Sequence, residues 1–248
     1  MVKNGYVKLL GEFHRLPSGT SKDSTAKYNY PADVGYVLGA KYLKSITTKI
    51  PGSFNALSAR YGIGIANGGD GGSSKTFVTY GGPNLETNSF KKAYSLALTE
   101  TFLLNLSKNY SLNGYAIYTK SRGASDSLNT TTDYLGKQIL FNRKQDIAFG
   151  TRGTWYIKNW LHLLHEVDFA WRKDGTQDFA QMTKFTIAPT LVPTSERSVW
   201  ARPHFRFVYS VAHYNQFASN NLYSPYLTQS GIKRWGQYIG AKVEWWIL

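Results

Sequence analysis

The feature that most constrains this chain is a period-two alternation of apolar and polar residues, recurring in long segments along nearly its whole length. A β-strand sends successive side chains to opposite faces, so such segments describe ribbons with one apolar and one polar face. They lie near residues 4–15, 34–46, 53–65, 91–107, 110–121, 144–157, 160–172, 179–192, 198–214 and 234–247, separated by clusters of Gly, Ser, Asn, Asp and Pro. The pattern predicts about ten strands. Each is long for a globular strand and matches the ~9–11 residues that a tilted strand needs to cross a bilayer.

The connections point the same way. Long ones at 16–33, 66–90, 122–143 and 215–233 alternate with short ones at 47–52, Lys108-Asn109, Lys158-Asn159 and 193–197, while the short connection at 173–178 breaks the rule. Outer-membrane barrels have short periplasmic turns and longer external loops. We therefore expect an all-β, antiparallel transmembrane β-barrel, a single domain over residues 1–248, with both termini periplasmic. The tract Gly68-Gly69-Asp70-Gly71-Gly72 lacks the GK[ST] ending and following helix of a phosphate cradle, and reads as a flexible external loop.

Composition narrows the alternatives. No run approaches the ~20 apolar residues of a membrane-spanning helix, which excludes a helical membrane protein. The absence of Cys excludes disulfides and thiolate metal sites. The 18 Tyr, 13 Phe and 7 Trp exceed what a soluble core needs and suit membrane interfaces or sugar-stacking surfaces. Met1-Val2-Lys3-Asn4 leads directly into strand-like sequence, so a mature or recombinant form is expected. The bilayer with its lipopolysaccharide, or detergent in its place, is the expected surrounding.

Face assignment follows from parity. Over 200–211, Ala201, Pro203, Phe205, Phe207, Tyr209 and Val211 form one face, expected to meet lipid, and Trp200, Arg202, His204, Arg206, Val208 and Ser210 form the other. Over 161–172 the polar face carries His162, Glu166, Asp168 and Arg172. The last strand sets Lys242, Glu244 and Trp246 opposite Ala241, Val243 and Trp245. Tyr36, Tyr42, Tyr61, Tyr118, Tyr209 and Trp245 are assigned to lipid or the interfacial girdle. On the inner parity Lys41, Arg60, Arg152, Arg172, Lys184, Arg202, Arg206 and Lys242 outnumber Glu166, Asp168 and Glu244, so much of the net charge of +14 is expected to line a lumen and favour anions.

Two short stretches, Ser198-Val199-Trp200-Ala201-Arg202-Pro203-His204-Phe205-Arg206 and Gly240-Ala241-Lys242-Val243-Glu244-Trp245-Trp246, resemble the C-terminal part of the maltoporin family of sugar-specific porins. Weaker similarity runs through residues 54–61, 148–152 and 166–169, in matching order and spacing. The resemblance implies a greasy slide, a path of aromatic rings on which sugars stack while flanking ionic residues bond their hydroxyls. Phe54, Trp200 and Trp246 occupy matching positions. It also implies a homotrimer, small sugars or ions as cargo, and eighteen strands, of which the first eight have no counterpart here. A shortened barrel of about ten strands and a fragment both remain open.

A barrel enzyme would need a clustered nucleophile, base and carboxylate. His162, Glu166 and Asp168 share a face, but no G-x-S-x-G motif accompanies them, so no catalytic residue is expected. His204 and His213 fall on opposite faces and offer no metal site. Basic residues are spread singly over the strands without a patch, which argues against nucleic acid as a partner. No cofactor is expected.

Overall fold

The computed structural model describes residues 5–22, 27–47, 50–73 and 78–245. Its strands are β1 (Gly5–Leu16), β2 (Gly19–Lys22), β3 (Lys27–Tyr30), β4 (Asp33–Ile46), β5 (Ser53–Gly64), β6 (Tyr94–Ser107), β7 (Tyr110–Arg122), β8 (Thr130–Thr132), β9 (Ile139–Phe141), β10 (Arg143–Tyr156), β11 (Leu161–Asp174), β12 (Ala180–Leu191), β13 (His204–Tyr214) and β14 (Trp235–Glu244). Two short helices, α1 (Gln216–Asn220) and α2 (Pro225–Ser230), precede β14. Ten strands form one antiparallel sheet in the order β1-β4-β5-β6-β7-β10-β11-β12-β13-β14, so each long strand pairs with its neighbours in sequence. The other four form two hairpins, β2–β3 and β8–β9, inside long connections.

A 14-residue strand such as β4 or β10 extends roughly 46 Å at about 3.3 Å per residue. Tilted by about 40°, it rises about 35 Å, enough for the ~30 Å hydrocarbon core. Register makes the two faces explicit. Phe185 pairs with Val167 and Val211, and its chain neighbour Thr186 with Glu166 and Ser210. The outer face carries Leu9, Phe13, Leu38, Leu57, Phe149, Phe205, Phe207 and Val243, all exposed. An apolar belt of this extent is characteristic of a surface that meets lipid. Tyr36, Tyr42, Tyr61, Tyr118 and Tyr209 share that face by register, and Trp245 continues its parity beyond β14. Near the short-turn end Tyr110, Trp155 and His165 cluster with ring centroids 5.7–6.1 Å apart. A polar pair also lies on the outer face, where Asn55 Nδ2 donates to Glu100 Oε1 at 2.7 Å.

Among the described residues β1 and β14 are the edges of the sheet and pair only with β4 and β13. Two expectations need correction. The strand expected at 198–214 begins at His204, and residues 192–203 form a connection that turns inward instead of a tight turn at 193–197. Here Val192 N donates to Trp160 O, and Arg197 bonds Asn159 and Asn109. Ala201, expected at the lipid face, is therefore 2% exposed.

The second correction concerns the glycine-rich tract. Residues 65–73 lie packed on the inner face of β4–β7. Asn67 is fully buried, donating to Tyr80 O and Arg122 O and accepting from Gly69 N, while its carbonyl accepts from Ser95 Oγ. Gly71 and Gly72 have φ of +89° and +101°. A Cβ on Gly72 would stand 2.8 Å from Val37, and one on Gly71 would stand 2.8 Å from Ala97. These glycines let the backbone lie against the strands where side chains would hold it off.

Candidate functional site

The inner face of β5–β14 carries nearly every residue singled out from sequence. Phe54 sits at the start of β5 opposite Ser45 and Leu103, both inward. Trp200 is 60% exposed and reaches the same space from the 192–203 connection, not from strand alternation. Both rings line a cavity of about 290 Å³ whose other walls include Asn113, Tyr115, Arg152, Glu166 and Asp168. The structure thus brings two of the three aromatics together. Trp246 lies outside the described residues.

Charge around this cavity follows from register. Arg152 faces Glu166 across β10–β11, and Asp168 faces Lys184 across β11–β12. Glu166 accepts from Arg152 Nε at 2.6 Å, and Lys184 Nζ lies 3.1 Å from Asp168 and 3.7 Å from Glu166. Tyr115 Oη donates to Asp168 Oδ1 at 2.9 Å. Gly150, opposite both Tyr115 and Asp168, makes room for that bond: a Cβ there would fall 2.3 Å from Asp168 Oδ1 and 2.7 Å from Tyr115. Tyr115 was missed in the sequence, although it lies three positions from the outward Tyr118 and hence on the other parity.

A second cavity of about 290 Å³ adjoins the first at Trp200, nearer the short-turn end. Arg152, Arg202, Arg206, Lys242, His204 and Glu244 line it. Glu244 lies 2.8 Å from Arg202, 3.2 Å from His204 and 3.5 Å from Lys242. Arg202 also donates to Val199 O and Ala201 O, which clamps the inturned connection.

Arg172 and Arg60 lie elsewhere. Arg172 stands at the long-loop end, donating from Nε to the buried Asp174 at 2.9 Å, with Asp146 at 3.9 Å. Tyr223, from the α1–α2 connection, donates to Asp174 at 2.8 Å, and burial followed by that carboxylate raises its phenol well above the ordinary range. Lys144 joins this group to Asp70 of the inserted segment at 3.2 Å. Arg60 points at the same segment, whose Gly71 approaches its Cβ. Lys41 is exposed on the inner face.

The arrangement can hold a solute between aromatic faces and fixed charges. Of the histidines, His162 and His204 are buried on the inner face, whereas His213 packs against Trp235 on the outer one. Among the described residues no group of three His, Cys, Asp or Glu could hold a metal ion, and no helix is long and apolar enough to cross a membrane.

No curated protein matches the chain. The family model described as LamB porin matches residues 1–246, so that the two-faced antiparallel sheet, its alternating connections and its ionic inner wall belong to a chain of the LamB porin family, a family of outer-membrane sugar porins.

Proposed function

We propose that the chain forms a passive outer-membrane pore for small sugars and ions, with Phe54 and Trp200 as a partial aromatic slide. The observation that carries this reading is the shared cavity of those two rings, walled by Arg152, Glu166 and Asp168. An aromatic face meets the C–H face of a sugar, and ionised groups flanking it exchange hydrogen bonds with the hydroxyls. The paired charges keep the wall polar, and no residue needs to undergo chemistry. Arg60, Arg172, Lys184, Arg202, Arg206, Lys242 and Glu244 line the rest of the path in this reading.

The pore requires a closed wall. Among the described residues the outer edges of β1 and β14 have no strand partner, and a bilayer leaves no backbone group unsatisfied. The two edge strands run antiparallel to each other, so they are the elements at which closure occurs. Leu9 and Ile239, 82% and 81% exposed, stand on the outer face of these edges. Cysteines at both positions, oxidised in bilayers, should cross-link within one chain if the edges meet directly. Cross-links only between chains would show that neighbouring copies fill the edges.

Planar-bilayer recording tests the function. Discrete conductance steps and transient block by maltose-type oligosaccharides are expected, and Trp200→Ala should weaken the block about fivefold, as expected for a stacking contact of ~1 kcal/mol. A conducting pore that oligosaccharides leave unblocked would mark a general pore. A chain that stays soluble without detergent and conducts nothing would defeat the reading.

A further inference from the structure

We propose that the basic cluster beside Trp200 binds the acid group of a charged saccharide, one bearing a phosphate, sulfate or carboxylate, while Trp200 holds its ring. The inference rests on the pore reading for access and goes beyond it in naming the solute class.

The ion pairs of this wall leave one cation over. Away from the Lys144, Asp146, Arg172 and Asp174 group at the long-loop end, five cations, Arg152, Lys184, Arg202, Arg206 and Lys242, share the inner face of β10–β14 and the adjoining connection with three acids, Glu166, Asp168 and Glu244. Every acid is already engaged: Glu166 by Arg152 and Lys184, Asp168 by Lys184 and Tyr115, Glu244 by Arg202, His204 and Lys242. Arg206 has no carboxylate within 4.0 Å among the described residues, and its Nε is buried without a hydrogen-bond partner. Its electrostatic surroundings are the guanidinium groups of Arg152 and Arg202 together with the two committed acids Glu244 and Glu166.

A half-buried guanidinium with a buried, unpaired Nε–H, set beside two other guanidinium groups and two acids already engaged by other cations, is incompletely satisfied. An oxyanion relieves it, because the planar fork of an arginine matches two oxygens of a phosphate or carboxylate. The register fixes this fork between Thr190 and Lys242, so an oxyanion received there lies between a guanidinium and an ammonium. Trp200 supplies the second half of the match. Its ring bounds both the basic cavity and the Phe54 cavity, so a saccharide stacked on it can direct its acid group to Arg206 and its remaining ring towards Phe54.

The test uses the full chain in planar bilayers at constant ionic strength, with glucose, glucose 6-phosphate and inorganic phosphate as probes of current block. Glucose 6-phosphate should block at a concentration at least tenfold below glucose and below phosphate. Arg206→Gln should raise the concentration of glucose 6-phosphate required about tenfold, and Arg206→Lys should raise it less, since it keeps the charge but loses the fork. Heat-modifiable migration on gels confirms that the variants are folded. Equal block by glucose and its phosphate would overturn the proposal while leaving the pore intact. Equal block by phosphate and glucose 6-phosphate would also overturn it, by reducing the cluster to a site for inorganic anions. A wild-type chain without conductance would refute the pore reading instead, and the site is then read by Trp fluorescence in detergent: saturable quenching by glucose 6-phosphate, lost in Arg206→Gln, supports it, and no quenching overturns it.

Discussion

Two neighbouring residues of β12 offer the most direct test of which face meets lipid. Phe185 stands on the outer face between Val167 and Val211, near the middle of its strand, and Thr186 stands on the inner face between Glu166 and Ser210. Arginine at position 185 places a charge near the bilayer midplane, a cost of ~2–4 kcal/mol, and forfeits the ring's transfer from water, another ~1.5–3 kcal/mol. Phe185→Arg should therefore destabilise the folded protein by roughly 3.5–7 kcal/mol, more than a hundredfold in its folding equilibrium. Arginine at position 186 breaks the 2.7 Å bond between the Thr186 and Ser210 hydroxyls, worth ~1 kcal/mol, and brings a guanidinium opposite Glu166. Thr186→Arg should stay within about 1.5 kcal/mol of the parent. Urea unfolding in lipid vesicles, followed by tryptophan fluorescence and by gel migration, measures both. Equal losses, or a greater loss at 186, would refute the assignment of faces and with it the lumen.

Further outcomes follow from the same structure. Reversal potentials under a salt gradient should show anion preference, because basic side chains outnumber acidic ones on the inner face; cation preference would contradict that count. Asn67→Ala should release the inserted segment, since it leaves Tyr80 O, Arg122 O and Gly69 N without their partner, at about 1–3 kcal/mol for each buried group left unpaired, and single-channel conductance should rise. Asp126 is held below the ordinary carboxylate range by hydrogen bonds from Lys92 and Asn84. A depressed folded-state value means that this latch contributes fully above the unfolded carboxyl's pKa of about 3.9 and is lost as pH falls through the lower folded value. Protease nicking near residues 84–92 should thus rise only in acid, and Asp126→Asn should remove that dependence.

Most of the sheet was legible because bilayer-spanning strands carry their instructions locally. Alternation over Leu161–Asp174 separates faces without reference to any other strand, and the pairings of β10 with β7 and β11 then follow from chain order. The errors fall where alternation continues past the point at which backbone pairing stops. Residues 198–203 alternate like a strand, yet they leave the ladder and turn over the inner face, held by bonds from Arg202 to Val199 and Ala201 and from Arg197 to Asn109 and Asn159. The tract at 68–72 misled for a related reason. Glycines that suggest freedom also permit close approach, and only the positions of Val37, Gly62 and Ala97 reveal which applies.

The site was legible as a list of residues and illegible as a set of partners. Parity could assign Arg152, Glu166, Asp168, Lys184 and Arg206 to one face, but whether a charge is neutralised depends on register, which a single sequence leaves open. A shift of one position between β11 and β12 would carry Lys184 to the opposite face from Asp168. A shift of two would place Lys184 opposite Glu166 and leave Asp168 to Met182, or place Lys184 opposite Ala170 and leave Asp168 to Thr186. Observed register instead commits Glu166 and Asp168 to Arg152 and Lys184. On β14 it gives Glu244 to His204 and leaves Arg206 beside Lys242, so that like charges meet directly across the ladder. Cross-strand like charges destabilise a sheet unless a counter-ion or solute intervenes. The distribution of paired and unpaired cations along this wall is therefore a property of the ladder, and it is on that distribution that the proposed preference for an acidic solute depends.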